Sequence, residues 1–148
     1  KTLQNDIIQN FNFKTLFHHY ISLAKGNIAL MESNKKFTYK TAFYCIRGLL
    51  SADLATKGII PELLINDLFN QFDKENEVLK IAKDSLDRKK QKAEKEEVSE
   101  NEKSYILSAI NNFTIELSSK DPVSSNNREK LELVLTDYCN SIKTKYYL

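Results

Sequence analysis

The sequence predicts an all-α protein, a single bundle of five or six helices, on three observations. Apolar residues return at three- and four-residue steps over most of the 148 positions, which is the spacing of one helix face. Only three glycines and two prolines interrupt the chain, too few turn formers for many short strands. Lys, Leu, Glu, Ala and Gln supply good helix formers, and the numerous Asn, Ser and Thr suit caps and exposed faces. A chain of this length buries roughly 70% of its unfolded surface as one domain. No internal repeat divides it, so residues 1–148 read as one helical domain.

Lys1 to Asn12 is polar with a few apolar positions and reads as an entry segment or a short helix. From Phe13 a helix begins whose stripe is Phe13, Leu16, Phe17, Tyr20, Ala24, Ile28 and Met31. Gly26 interrupts it at about 1 kcal/mol relative to alanine, a position suited to close approach by another helix. Ser33 to Lys36 is a linker. The second helix runs roughly from Phe37 to Lys57 on a stripe of Ala42, Phe43, Ile46, Leu49, Leu50 and Leu54. Gly58 offers its stop, and Pro61 opens the short helix PELLINDLF in its first turn.

The next helix has a core side at Val78, Leu79, Ala82 and Leu86 but almost nothing apolar after Asp87, so its charged end projects partly into solvent. Ser99 and Glu102 have capping-box spacing and start a helix with the stripe Tyr105, Ile106, Ala109, Ile110, Phe113 and Leu117. Ser118 to Asn127 is a loop, and Asn126 with Glu129 forms a second capping-type start. Leu131, Val134, Leu135, Tyr138 and Ile142 are the expected buried stripe of the last helix.

With 22 basic and 20 acidic residues, whole-molecule charge draws no nucleic acid, and any such site must be a local cluster. The tract RKKQK, Arg88 to Lys92, runs straight into EKEE, Glu94 to Glu97, which cancels its field beyond about 10 Å. Pairs such as Lys90 with Glu94 and Lys92 with Glu96 make it a salt-laced exposed helix. Cys45 and Cys139 each sit in an apolar helical pattern and read as buried, reduced thiols, which suits the cytoplasm. No run approaches the roughly 20 apolar residues of a membrane span. The chain begins at Lys1 and has its single methionine at Met31, so it is expected to be a piece of a longer polypeptide or a processed product.

Few residues suggest chemistry. Lys40, Tyr44, Arg47 and Ser51 share one side of the second helix, where two cations can straddle a phosphate chain and the tyrosine can stack or donate a hydrogen bond. A solvated polar face is the competing reading. Asp53 falls inside the apolar arc of the same helix and needs a structural ion pair or a cap. Asn27 lies in the apolar arc of the first helix and needs hydrogen bonds, to backbone across the helix pair or to Asp53. His19 borders the core stripe as a structural histidine, while Lys25 points outward with His18. Adjacent histidines diverge on a helix, which is poor metal spacing. Phosphate loops, nucleophile elbows, paired-cysteine zinc spacing and Asp-x-Asp are all missing, so the chain alone lacks catalytic carboxylates.

HYISLAKGNI, His19 to Ile28, precedes KKFTYKTAFYCIRGLLSADLATKGIIP, Lys35 to Pro61, and then LLINDLF, Leu63 to Phe69. In this order the segments resemble the C-terminal helical region of predicted nucleotidyltransferases associated with RNA repair, in the DNA polymerase β-like superfamily. His19, Tyr20, Lys25 and Asn27 match its first helix; Lys40, Tyr44, Arg47, Leu49 and Leu50 match the second. Gly58, Pro61 and Leu68 follow the pattern, whereas Gly48 stands where a proline is expected and Leu54 near an expected tryptophan. The resemblance implies an N-terminal catalytic domain in the parent chain, with Mg²⁺ and a nucleoside triphosphate as its cofactor and substrate and none bound by this chain alone. It also implies that Lys40 and Arg47, with Lys25, touch the triphosphate or an RNA end, and that Tyr44 packs on base or sugar.

The alternative is a helical protein–protein interaction module without enzymatic role, using exposed residues such as Tyr146, Tyr147 and Leu148, with self-association among its outcomes. A helical ribonuclease toxin ranks third, because neither Arg47 nor Arg88 is followed by the histidine that class needs.

Overall fold

The computed structural model describes residues 3, 10–33, 37–91, 98–122 and 128–147, and within them lie six helices and no strand. These are α1 (Phe13–Glu32), α2 (Tyr39–Thr56), α3 (Ile65–Asn70), α4 (Glu77–Lys90), α5 (Glu100–Ser118) and α6 (Arg128–Tyr147). Among the described residues no helix is long and apolar enough to cross a membrane. The protein is an all-α bundle. Expectations placed on 1–2, 4–9, 34–36, 92–97, 123–127 and 148 lie outside the described residues, as do the side chains of Leu131, Tyr146 and Tyr147. That covers the linker, the Lys90–Glu94 and Lys92–Glu96 pairs, the projecting charged end and the Asn126 cap.

Side-chain caps set the helix starts. The Asn12 carboxamide oxygen accepts from the Thr15 amide at 3.0 Å, and the Thr38 hydroxyl accepts from the Thr41 amide at 3.2 Å. At α5 the Ser99 hydroxyl accepts from the Glu102 amide and donates to the Glu102 carboxylate, which also accepts from the Ser99 backbone. The predicted capping box is therefore present. Gly58, at φ 72°, ends α2 in a Schellman turn: Ile59 N–H reaches the Leu54 carbonyl at 3.0 Å and Gly58 N–H the Ala55 carbonyl at 3.2 Å. Pro61 does not open α3; it is buried in the preceding loop, and α3 begins only at Ile65.

α2 is the centre of the bundle, and every residue from Gly48 to Ala55 is buried. On one side it pairs with α1, which buries Phe17, Ile21, Ala24, Ile28 and Met31. The close approach is made by Gly48: a Cβ there would stand 3.4 Å from the Tyr20 carbonyl oxygen and 3.7 Å from Ala24 Cβ. Gly26, expected in that role, is exposed and would meet nothing within 4 Å. Beside Gly48, the Cys45 thiol donates to the Ala24 carbonyl at 3.6 Å, and burial pushes its pKa up to about 12.

α4 and α5 pack on α2 and on each other. A polar brace closes that junction. The Arg88 guanidinium lies 4.2 Å from the Tyr39 ring centroid, and Tyr39 OH donates to Glu102 at 2.9 Å. Hydrogen bonds from Ser99 and then Tyr39 hold the Glu102 carboxyl below the ordinary carboxylate range. Arg88, expected to be solvated, is thus folded into the bundle. Tyr105, expected in the α5 core stripe, is exposed instead.

α6 departs most from expectation. Of the expected buried stripe, Leu135, Tyr138 and Ile142 are exposed and Val134 is half-buried; Cys139, expected to be a buried thiol, is exposed as well.

Candidate ligand face of the helical hairpin

Lys40, Tyr44 and Arg47 fall within an arc of about 60° on α2, because four- and three-residue steps return to one face. Lys40 is exposed, Tyr44 is 44% exposed and Arg47 is half-buried. Arg47 has a structural partner, since its guanidinium donates to the Leu63 carbonyl at 2.8 Å. Four of its five N–H donors are left over from that bond. Ser51, expected beside them, is buried and takes no part.

The α1 residues that share this side follow from the pairing of the two helices. Cys45 meets Ala24, and Gly48 lies against Tyr20 and Ala24, so α1 and α2 run antiparallel in a fixed register. With a rotation of about 100° per residue, Leu23, Asn27 and Leu30 then lie on the same outer side as Arg47, Tyr44 and Lys40, and at matching heights. Leu23 and Leu30 are 50% and 44% exposed. Asn27 is half-buried, and its amide donates within its own helix to the Leu23 carbonyl at 3.0 Å. The expected bond across the pair, or to Asp53, does not form. His19 also points outward from this side and is exposed, with its ring 5.3 Å from Tyr20, so it does not border the core. Lys25 is two residues from Asn27, hence about 160° round α1, and the fold does not bring it to the face.

The face is extended by the loop after Gly58. The Gln71 side chain donates to the Ile60 carbonyl and accepts from the Glu62 amide, both at 2.9 Å, while Arg47 holds Leu63. This clamped loop nonetheless presents Leu63 at 82% exposure, with Leu64 beside it. Four exposed leucines, Leu23, Leu30, Leu63 and Leu64, thus flank two cations and a tyrosine on one open side. No polar pattern signalled it, because each leucine alone reads as ordinary helix or loop content.

Asp53 lies elsewhere. It is six residues beyond Arg47, about 120° round α2, and forms part of a separate cleft of about 560 Å³ between the end of α2, the 71–76 loop, α4 and α5. Its carboxylate is buried and accepts from Lys57 at 2.7 Å and Lys120 at 3.0 Å, so the expected structural ion pair is present, with two partners. Lys120 also pairs with Glu116 at 2.9 Å. Burial alone would lower Lys120, but the hydrogen bonds to Glu116 and Asp53 outweigh it and raise its pKa. Sequence reasoning found Asp53 and missed Lys57, Lys120, Phe72 and Asn112. Only Lys57 could have been found, from its four-residue spacing to Asp53; Lys120 arrives from 67 positions away.

Among the described residues, no group of His, Cys, Asp and Glu is placed to hold a metal ion. No curated protein and no solved structure matches the chain. A family model does, over residues 2–137, nearly the whole length and including every residue of the hairpin face. With that extent of match, the chain belongs to the RlaP family, the RNA repair pathway DNA polymerase beta family.

Proposed function

We propose that this chain is the helical part of a polymerase β-like nucleotidyltransferase. In this reading the enzyme transfers a nucleoside monophosphate from a triphosphate to an acceptor, with an RNA end as the acceptor, in the cytoplasm. The outer side of the α1–α2 hairpin completes the cleft for nucleotide and acceptor. The observation that carries the reading is the convergence of Lys40, Tyr44 and Arg47 on one open face, in a chain of this family. Two cations one or two turns apart can bind neighbouring phosphate groups, each contact contributing about 1.5–3 kcal/mol. Tyr44 supplies a ring edge and a hydroxyl beside them.

Mg²⁺, implied by the same resemblance, does not fit this face, whose ionisable groups are cationic. In this reading the metal ions and the paired carboxylates that hold them belong to an N-terminal catalytic domain, and the leucine row at Leu23, Leu30, Leu63 and Leu64 is where that domain packs. Lys25 stands apart from the face and takes no part in triphosphate binding.

The test uses the full-length enzyme and follows incorporation of a labelled nucleoside monophosphate. Lys40→Ala, an exposed change on α2, is expected to raise KM for the triphosphate about tenfold or more without shifting the melting temperature. Unchanged kinetics in Lys40→Ala and in Arg47→Ala would remove the face from the enzyme's cleft. The exposed leucine row equally favours a second reading, a helical interaction module. That module would associate stably in sedimentation whether or not a triphosphate is present.

A further inference from the structure

The cleft beside Asp53 has no part in that reading, and its lining identifies a different kind of ligand. Four of its charges are already matched with one another: Lys57 with Asp53, Lys120 with Asp53, and Lys120 with Glu116. This quartet sums to zero. The rim adds Asp73, Lys74 and Glu77, all exposed, for a net of one negative charge. An anion would meet no net attraction here and would have to displace existing ion pairs, so phosphates and nucleic-acid backbones are disfavoured. A cation would find Asp53 already holding two ammonium groups.

Hydrogen-bonding capacity is what the cleft leaves over. A lysine has three donors, and Lys57 has one engaged with Asp53. The Asn76 oxygen is engaged by the Leu79 amide, which leaves its NH₂ group for the cleft, and Asn112 is exposed on the α5 wall. Carboxylate oxygens of Glu116 and Asp73 add acceptors. Phe72, half-buried with the Lys57 ammonium 5.5 Å from its ring centroid, and the small part of the buried Phe113 left exposed supply apolar surface between these polar groups. A volume of about 560 Å³ lies within the range of small-molecule sites, about 300–1,000 Å³.

We propose that this cleft binds an uncharged, nucleoside-sized ligand, a flat heterocycle carrying hydroxyl groups. The ring packs edge-on against the apolar surface that Phe72 and Phe113 leave open beside Lys57, and the hydroxyls bridge Asn112, Lys57 and Glu116. Neutrality of the ligand is the distinguishing claim, because the inner charges are already paired and the rim leaves only one net negative charge.

The four ribonucleosides are titrated into the full chain by NMR, following the ring signals of Phe72 and Phe113. Their 5′-monophosphates, free ribose and inorganic phosphate serve as comparisons. At least one nucleoside is expected to saturate, its monophosphate to bind no more tightly, and inorganic phosphate not to compete. Asn112→Ala, on an exposed position, and Phe72→Leu are each expected to weaken binding about tenfold, with melting checked in parallel. Saturation by none of the four, tighter binding of a monophosphate, equal binding of ribose alone or an Asn112→Ala variant of unchanged affinity would each overturn the proposal. Because Lys40 and Arg47 take no part, this outcome is independent of the nucleotidyl-transfer test.

Discussion

α2 and α6 are nearly equal in length, 18 and 20 residues, and both carry an apolar stripe, yet one is sealed and the other stands open. α2 is covered by α1 on one side and by α4 and α5 on another, so even its Gly, Ser and Asp near the C-terminal end are buried. α6 presents Leu135, Tyr138 and Ile142 to solvent. Amphipathicity states which face of a helix gains by being covered. It does not state that a cover exists within the same chain.

The largest expected effect separates the two helices directly. Leu50 on α2 is fully buried, so Leu50→Ala loses both transfer free energy and packing and is expected to cost about 2–5 kcal/mol. Leu135→Ala on α6 removes a side chain already 39% exposed and is expected to stay within about 0.5 kcal/mol. Urea unfolding of both variants measures the contrast. Equal losses would show that α6 is packed in solution, and the comparison would fail.

A smaller effect is expected from the polar residues of the same helices. Asp53→Ala removes a buried carboxylate that joins α2 to the end of α5 through Lys120. Lys57 and Lys120 are both partly exposed and can return to water, so the cost is expected to be about 1–3 kcal/mol. Asp137→Ala on exposed α6 is expected to change stability little. A neutral Asp53→Ala would mean that the lysine bridge contributes nothing beyond its geometry.

Much of α1 and α2 was legible, because caps and stripes are local. Gly58 and the Ser99–Glu102 box act within four residues of themselves and were read from that spacing; the Asn12 and Thr38 caps act as locally but were not singled out. Pairing between helices is another matter. Gly26 and Gly48 look alike in sequence, and only the register of α1 on α2 decides which one meets a neighbour. Arg88 reads as part of a charged tract until Tyr39 and Glu102 are brought to it from distant positions. The hairpin face was half legible: Lys40, Tyr44 and Arg47 share a helix, but the leucines that complete it come from α1 and a loop. The Asp53 cleft was illegible apart from Asp53 and its i,i+4 partner Lys57, since four separate segments build it.

The mildest perturbation uses the two cysteines, one on each helix. Cys139 on α6 is exposed, so a maleimide at neutral pH is expected to label it readily in the folded protein. Cys45 is buried against the Ala24 carbonyl, and burial pushes its pKa up to about 12, so it stays protonated at pH 7. Its labelling is expected to wait for unfolding. The sign of the pH dependence follows: the unfolded thiol ionises from about pH 9 while the folded one keeps its proton to about 12. Cys45 therefore favours the folded state at neutral pH and loses that contribution as pH rises across this window. Prompt labelling of both thiols would mean that the α1–α2 seam opens readily. Protection of both would mean that α6 is covered in solution, and a sedimentation run on the same sample would tell whether a second copy covers it.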